Sequence, residues 1–485
     1  MHSISKKSLM ILAVLILSMS FVLTRADFPQ AMAADGGNWQ DLGRQVLAQN
    51  DGWAAAEGGT TGGAKATPAR ISTVTNRKQL VQALGSNNTG ADATPKIIFI
   101  KGIINGNEDD TGKPLTCQDY ATNGYTLESY LKTYDPAVFG RTKVPSGPLE
   151  DARFASFLKQ AARIQIHIPS NTTIIGDQAG ARVIGTNFVV AHLIGINNPP
   201  VEDIVFKYAP VKNVIIRNIQ FENAFDCFPQ WDATDGANGN WNSWYDNMSI
   251  ISGSNHVWID HNSFTDGDKP DSQQPTHFGR EYEQHDGELD ITKGADLITV
   301  SWNRFSNHNK IMLIGSTDKP TFDVDKLRVT VHHNTFENSI QRTPRVRYGQ
   351  VHIYNNYNNE TDNPSLQYVL GVGILSKIFA QNNYYTLPTS KAVGKVIIKA
   401  YKGTVIHTEG DIVDKKPTDL LAAYNAAHDT TPLAGDVGWT PTFHGPVDPT
   451  QCVPSLVPRN AGVTRTFTVL QDSRANFSPS SCPTV

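Results

Sequence analysis

Through the middle of the chain one pattern repeats: a few residues alternating apolar and polar, then an asparagine, then an aromatic residue, usually two positions on. Copies fall at residues 214–221, 257–264, 298–305, 329–336 and 351–357, with a weaker one at 378–385. Aligned on Asn218, Asn262, Asn303, Asn334, Asn356 and Asn383, they are spaced by 44, 41, 31, 22 and 27 residues. Alternation with period two is the signature of a strand. The shortest interval is too small for a propeller blade, and short β-rich units of this length stack as rungs of a parallel β-helix. In such a rung the asparagine sits at a bend, pairs its amide with the next rung and tolerates a left-handed backbone, while the aromatic stacks inside. An antiparallel sandwich would show hairpin turns every 8 to 12 residues instead, and the chain does not.

The flanks add caps. Thr75 or Asn76 opens a short helix with apolar positions Leu80, Val81 and Leu84 and a stop at Gly85, followed by a strand at 96–100. Residues 106–162 are more polar and carry a helix over 149–162, and strands resume at 164–168 and 172–176. The expected architecture is all-β: one parallel β-helix domain over 34–485, with a cap and insertion at 66–163, rungs at 164–400 and a C-terminal cap and tail at 401–485. That tail includes a helix at 418–427. Residues 34–66, rich in glycine, alanine and threonine, read as a loose approach to the fold.

Residues 1–33 have the order of a secretory signal peptide: Lys6 and Lys7, an apolar run from Leu9 to Leu23, then Ala31-Met32-Ala33 before a cut. No later stretch is apolar enough to span a bilayer, so the expected product is soluble and extracellular. Removing the leader takes away Lys6, Lys7, Arg25 and Asp27, a net +2, and moves the formal charge from −4 to −6. A mildly acidic chain lacks the basic face that nucleic-acid binding needs. Four cysteines in an exported chain predict structural disulfides. The expected pairs are Cys452 with Cys482, clipping the tail, and Cys117 with Cys227, tying down the insertion.

Loop insertions in a solenoid gather on one face, where binding takes place. The insertion at 226–242 is aromatic and acidic, which fits either a sugar platform or a loop packing its own Trp231. Asp246, Asp286 and Asp290 offer oxygen ligands with no cysteine or paired histidine beside them, a donor set for a hard cation such as calcium, or else an acidic loop. Arg342, Arg345 and Arg347 crowd around Pro344 between two strand-like segments. Three close guanidiniums call for an anion among them, although an arginine-rich surface loop has the same composition.

These motifs in this order resemble the pectate lyases of the pectate lyase superfamily. They are Val257-Trp258-Ile259-Asp260-His261, residues 286–296, residues 310–316 and the arginine stretch running on to His352 and Asn355-Asn356. The resemblance covers about Val214 to Tyr357. It implies a right-handed parallel β-helix binding Ca2+ through Asp246, Asp286 and Asp290, with Arg342 as the catalytic base and Lys310 and Arg347 as substrate-binding cations. Arg345 is left as structural. Where some relatives carry a further acid, this chain has Trp244, so a three-acid shell is expected; Asp235 is a candidate for an extra calcium that arrives with substrate.

The implied chemistry is β-elimination in polygalacturonate or low-methylated pectin, leaving a 4,5-unsaturated sugar. Lys310, Arg347 and calcium are expected to lower the pKa of Arg342, giving calcium-dependent activity that rises into the alkaline range. The alternatives are a pectin lyase, which acts on neutral esters, a polygalacturonase, which needs further carboxylates, and a non-catalytic polysaccharide-binding β-helix. Capped ends predict a monomer.

Overall fold

The computed structural model describes residues 39–465 and Cys482, apart from 178–179, 202–203 and 320–321. The leader expected at 1–33 lies outside them. The repeated segments are rungs of a right-handed parallel β-helix with three long sheets, two of ten strands and one of eight. One turn consists of Asp296–Ser301 in the first sheet, Arg304–Lys310 in the second and Leu313–Ile314 in the third. Val329–His332, Thr335–Gln341 and Arg345–Val346 make the next turn, each strand parallel to its predecessor.

Alternation decides what lies inside. Val257, Ile259, Ile298, Val300, Val329 and Val331 face the interior and are fully buried. Phe221, Phe264, Phe305 and Phe336 stack along the second sheet at ring separations of 5.2, 4.8 and 5.2 Å. Tyr357 leaves this stack. Its place is taken by Asn358, which pairs with Phe336, and Tyr357 instead packs outside among residues that include Val453 and Leu456.

The asparagines form the expected ladder with one correction. Asn262, Asn303, Asn334 and Asn356 each donate their backbone N–H to the side-chain oxygen of the next, at 2.9, 2.8, 2.9 and 3.0 Å, the last to Asn383. Asp411 ends the row, accepting from Asn383 at 2.9 Å. Asn218 is not a rung of it. The register pairs Arg217 with Asp260, so Ile219 lies opposite Asn262 and donates to it at 3.1 Å. Nor is the ladder asparagine the left-handed residue. That role falls one place earlier, to Asn218, His261, Trp302, His333, Asn355 and Asn382, all with φ between 51° and 56°.

Residues 47–64 are not a loose approach but a strap crossing the outer face of the first sheet. Trp53 N–H donates to Thr330 Oγ1 at 3.0 Å, Ala54 N–H to Thr299 Oγ1 at 3.1 Å, Gly62 N–H to Asn213 Oδ1 at 2.7 Å and Gly63 N–H to Thr173 Oγ1 at 2.8 Å. Glycine is required where the strap lies closest: a Cβ at Gly63 would sit 1.9 Å from the Lys96 carbonyl oxygen. The strap therefore covers the outer face of this sheet between Thr173 and Thr330, bonded by the polar residues that alternate with the buried apolar ones.

Helix Arg77–Leu84 begins at Asn76, whose side chain accepts from Gln79 N–H, and stops at Gly85. The insertion carries helix Pro148–Ile164, and the C-terminal cap carries Leu420–Ala427. Both expected disulfides form, Cys117–Cys227 and Cys452–Cys482. The insertion at 226–242 folds as a hairpin, Gln230–Asp232 against Asn240–Asn242, with Trp231 and Trp241 buried beside Tyr125 and Tyr130. Its tryptophans pack inward, so the sugar-platform reading of Trp231 is set aside.

Candidate active site

The third sheet's outward residues form a column along the helix axis. Ser249 pairs with Asp290, Leu313 with Arg345, Arg345 with Gly371 and Gly371 with Lys399. Leu313 joins Asp290 by donating its N–H to Asp290 Oδ1 at 2.9 Å. Acids stand at one end of this column and cations at the other.

Asp246 lies just before strand Met248–Ile250, and Asp286 just before Leu289–Ile291, which carries Asp290. Gly287 lies between the acids. A Cβ there would fall 2.6 Å from Asp290 Oδ1 and 2.9 Å from Asp246 Oδ1. Burial pushes the Asp246 carboxyl well above the usual range, reinforced by Asp290 and Asp286. Asp290 is pushed up to about 7, first by burial and then by Asp286. Crowded, buried carboxylates of this kind resist ionising together unless a cation sits among them, and an all-oxygen set suits a hard divalent ion. The carboxylate oxygens of Asp246 and Asp290 approach each other over Gly287, and Asp286 adds its charge to both.

Two other clusters collect histidine and carboxylates, Asp266–Asp271–His285 and Asp266–Glu288–His308. These neutralise themselves. His308 Nδ1 bonds Asp266 at 2.8 Å and Nε2 bonds the Asp286 carbonyl at 2.8 Å. With an acceptor on each side the ring is a doubly donating imidazolium with no lone pair to offer a metal. Burial opposes that charge, but Asp266 and Glu288 outweigh it and raise its pKa well above the ordinary value. His285 is similarly engaged with Asp271 at 2.7 Å and Asn223 at 2.8 Å. The effect is to fix the main chain of Asp286 from below.

Lys310 ends its strand with Nζ 2.5 Å from Glu283 and 3.3 Å from Asp286. Arg342 follows strand Thr335–Gln341 in a left-handed conformation, φ 64°, just before the cis Thr343–Pro344 peptide. Its carbonyl accepts from Met312 N–H at 2.8 Å, and its buried Nε has no hydrogen-bond partner. Burial opposes the Arg342 charge, yet Asp286 and Asp290 face it and hold its pKa above the usual value. This differs from the expectation that neighbouring cations lower it: the chain alone presents Arg342 to acids. Arg347 is pinned, Nε to Asp318 at 2.7 Å and Nη1 to the Gly315 carbonyl at 2.7 Å. Arg345 lies over Tyr401 at 4.0 Å, its pKa lowered by burial and then by Arg347 and Arg342.

Trp244 packs on Phe157 at 5.2 Å and belongs to the insertion's aromatic cluster, so that position serves packing. Asp235 is exposed in the hairpin's turn, bonded by Asn240 at 3.0 Å. Glu283 and Asp318 were not visible as site residues in the sequence. Both arrive through loops, and only the folded chain sets them against Lys310 and Arg347.

A parallel β-helix with buried acids and facing cations along one outer column has the form of a polysaccharide-cleaving enzyme. The pectate lyase family profile matches residues 146–466. A pectate lyase of Bacillus subtilis (strain 168) is 45% identical over 430 residues, covering 88% of this chain and 95% of the relative. Pectate lyase E of Dickeya chrysanthemi is 32% identical over 413 residues, covering 80% and 85%. A solved pectate lyase bound to a hexasaccharide superposes with a TM-score of 0.79 at 44% identity, over 88% of this chain and 100% of that one. A thermostable pectate lyase gives 0.80 at 44%, over 87% and 99%. The chain belongs to the pectate lyase family and is a polysaccharide lyase.

Proposed function

We propose that this protein is a secreted, calcium-dependent pectate lyase that cleaves α-1,4-linked galacturonan, as polygalacturonate or low-methylated pectin, by β-elimination. The observation that supports this reading is the approach of Asp246 and Asp290 over Gly287, with Lys310 Nζ 3.3 Å from Asp286 and Arg342 facing Asp286 and Asp290. Asp246, Asp286 and Asp290 would hold Ca2+, which would supply positive charge beside the uronate to offset the negative charge that builds as the C5 proton leaves. Lys310 and Arg347 grip uronate carboxylates.

Arg342 takes the C5 proton. The C–H electron pair becomes the C4–C5 double bond, and the C4 oxygen departs with the rest of the polymer. A guanidinium holding all its protons cannot act as a base. In the bare chain Asp286 and Asp290 favour that form; once their charge is neutralised, burial favours the neutral arginine, and activity rises into the alkaline range. Neutral methyl esters need no acid-held cation, so the three aspartates favour pectate over pectin. Among the described residues no helix is long and apolar enough to cross a membrane, which agrees with a secreted product. With helices capping its flanks, the protein acts as a monomer.

The test is the near-ultraviolet absorbance of the unsaturated product from polygalacturonate, with calcium and after thorough chelation. We expect chelation to abolish turnover and Arg342→Lys to suppress it with calcium binding intact. Undiminished turnover without calcium sinks the metal assignment; new reducing ends without absorbance indicate a hydrolase.

A further inference from the structure

Beyond Arg342 the outward column continues for two turns, from Arg345 through Gly371 to Lys399. With about 4.8 Å between neighbouring strands, Lys399 lies roughly 10 Å from the catalytic turn. It opens into a cavity of about 640 Å³ lined by Gln367, Lys395, Lys399, Lys402, Tyr424 and His428, among others. Lys395 and Lys399 are exposed, and no carboxylate lies within 4.0 Å of either among the described residues. Lys402 differs, because Asp318 holds it at 2.8 Å, and the same carboxylate holds Arg347.

Aromatic rings carry the column's floor. Lys399 Nζ stands 5.4 Å from the ring of Tyr368 and 5.2 Å from that of Tyr401, and the Arg345 guanidinium lies 4.0 Å from the Tyr401 ring. Gly371 lies between them, and the Arg345 and Tyr368 side chains close over it: a Cβ there would come within 2.9 Å of both. Arg345 Nε is buried without a hydrogen-bond partner. In a chain of formal charge −4, exposed Lys395 and Lys399 without nearby carboxylates, on a column continuous with the site, mark a path for a polyanion.

We propose that Lys395 and Lys399, beside Tyr401, form a distal subsite that holds uronates several units away from the bond being broken. The proposal rests on the galacturonan reading above and adds a preference for long chains over short ones. Lys395 and Lys399 bind carboxylates electrostatically. They do not touch the reacting sugar, so their effect is on capture and positioning.

The experiment compares wild type, Lys395→Ala/Lys399→Ala and the charge-keeping Lys395→Arg/Lys399→Arg on polygalacturonate and on trigalacturonate. For the alanine pair we expect KM on polymer to rise about tenfold, kcat to hold within about twofold, and both constants on the trimer to be unchanged. The arginine pair should keep the polymer KM. Equal losses on trimer and polymer, no loss on either, or an arginine pair behaving like the alanine pair would overturn the subsite. Titration with heptagalacturonate in an Arg342→Lys background reads the subsite without turnover: the alanine pair should bind about tenfold more weakly and with a flatter salt dependence. Unchanged affinity overturns the proposal. If wild type yields no unsaturated product, the lyase reading fails, and the titration still decides the subsite.

Discussion

Gly287 shows how much a single missing side chain contributes. Asp246, just before one strand, and Asp290, within the next, meet over its Cα, where even a methyl group would press both carboxylate oxygens. Its φ lies outside the left-handed range, so an alanine there strains the acids and not the backbone. Gly287→Ala should therefore weaken calcium binding by about tenfold or more, while the Tm measured in chelator stays close to that of wild type. Unchanged calcium affinity by calorimetry would mean that the two acids do not share an ion. From the residues alone the sequence offers Asp246, Asp286 and Asp290 as oxygen donors, with an acidic loop as the alternative, and only the resemblance to pectate lyases assigns roles to Lys310 and Arg342. Glu283 and Asp318 give no signal, since an acid in a loop gains meaning only from the cation that the fold places against it.

At the scale of the element, the asparagine ladder ties successive turns through side chains as well as backbone. Asn334 Oδ1 accepts both N–H and Nδ2 of Asn303, at 2.8 and 3.0 Å, in a fully buried position. Asn334→Ala removes the acceptor of the buried Asn303 N–H, while Asn303 Nδ2 keeps the Ile259 and Ser301 carbonyls, and should cost about 2 kcal/mol in denaturant unfolding. A loss below about 1 kcal/mol would mean that backbone pairing alone holds the turns. The rungs could be read from the sequence because alternation and a recurring asparagine are local signals. The misplacement of Asn218 has a physical cause too: asparagine suits both the left-handed corner and the ladder step one residue later. Asn355-Asn356 and Asn382-Asn383 fill both places, but Asn218 fills only the corner. The strap at 47–64 was illegible for the opposite reason. Its small residues answer to the threonine hydroxyls beneath them and follow no period of their own.

For the whole molecule, pH acts through groups packed beneath covering segments. His352 lies on the first sheet's outer face, with its ring 4.5 Å from Tyr354, 5.8 Å from Phe379 and 5.6 Å from His444. Burial, then His444, push its pKa down to about 3, against a small opposing effect from Gln381. An unfolded histidine takes its proton near pH 6.5, so between there and about 3 the unfolded chain binds more protons. Stability from this residue is complete above about pH 6.5 and is lost as pH falls through about 3. Buried acids such as Asp411, pushed up to about 7 by burial, act in the opposite sense, so the comparison must be between variants. His352→Phe should gain in Tm relative to wild type on going from about pH 7 to about pH 4. A constant difference would remove His352 from the acid response. The strap has a further consequence, in time. A solenoid whose turns touch only their neighbours could fray from its ends one turn at a time. Here Trp53 is fastened to Thr330, a separation of 277 residues, and strands from Thr173 to Thr330 lie under the same short segment. The strap emerges from the ribosome early but has no complete seat until the strand at Val329–His332 exists. Its docking is a late step of folding, and it binds turns made at different moments into one cooperative unit.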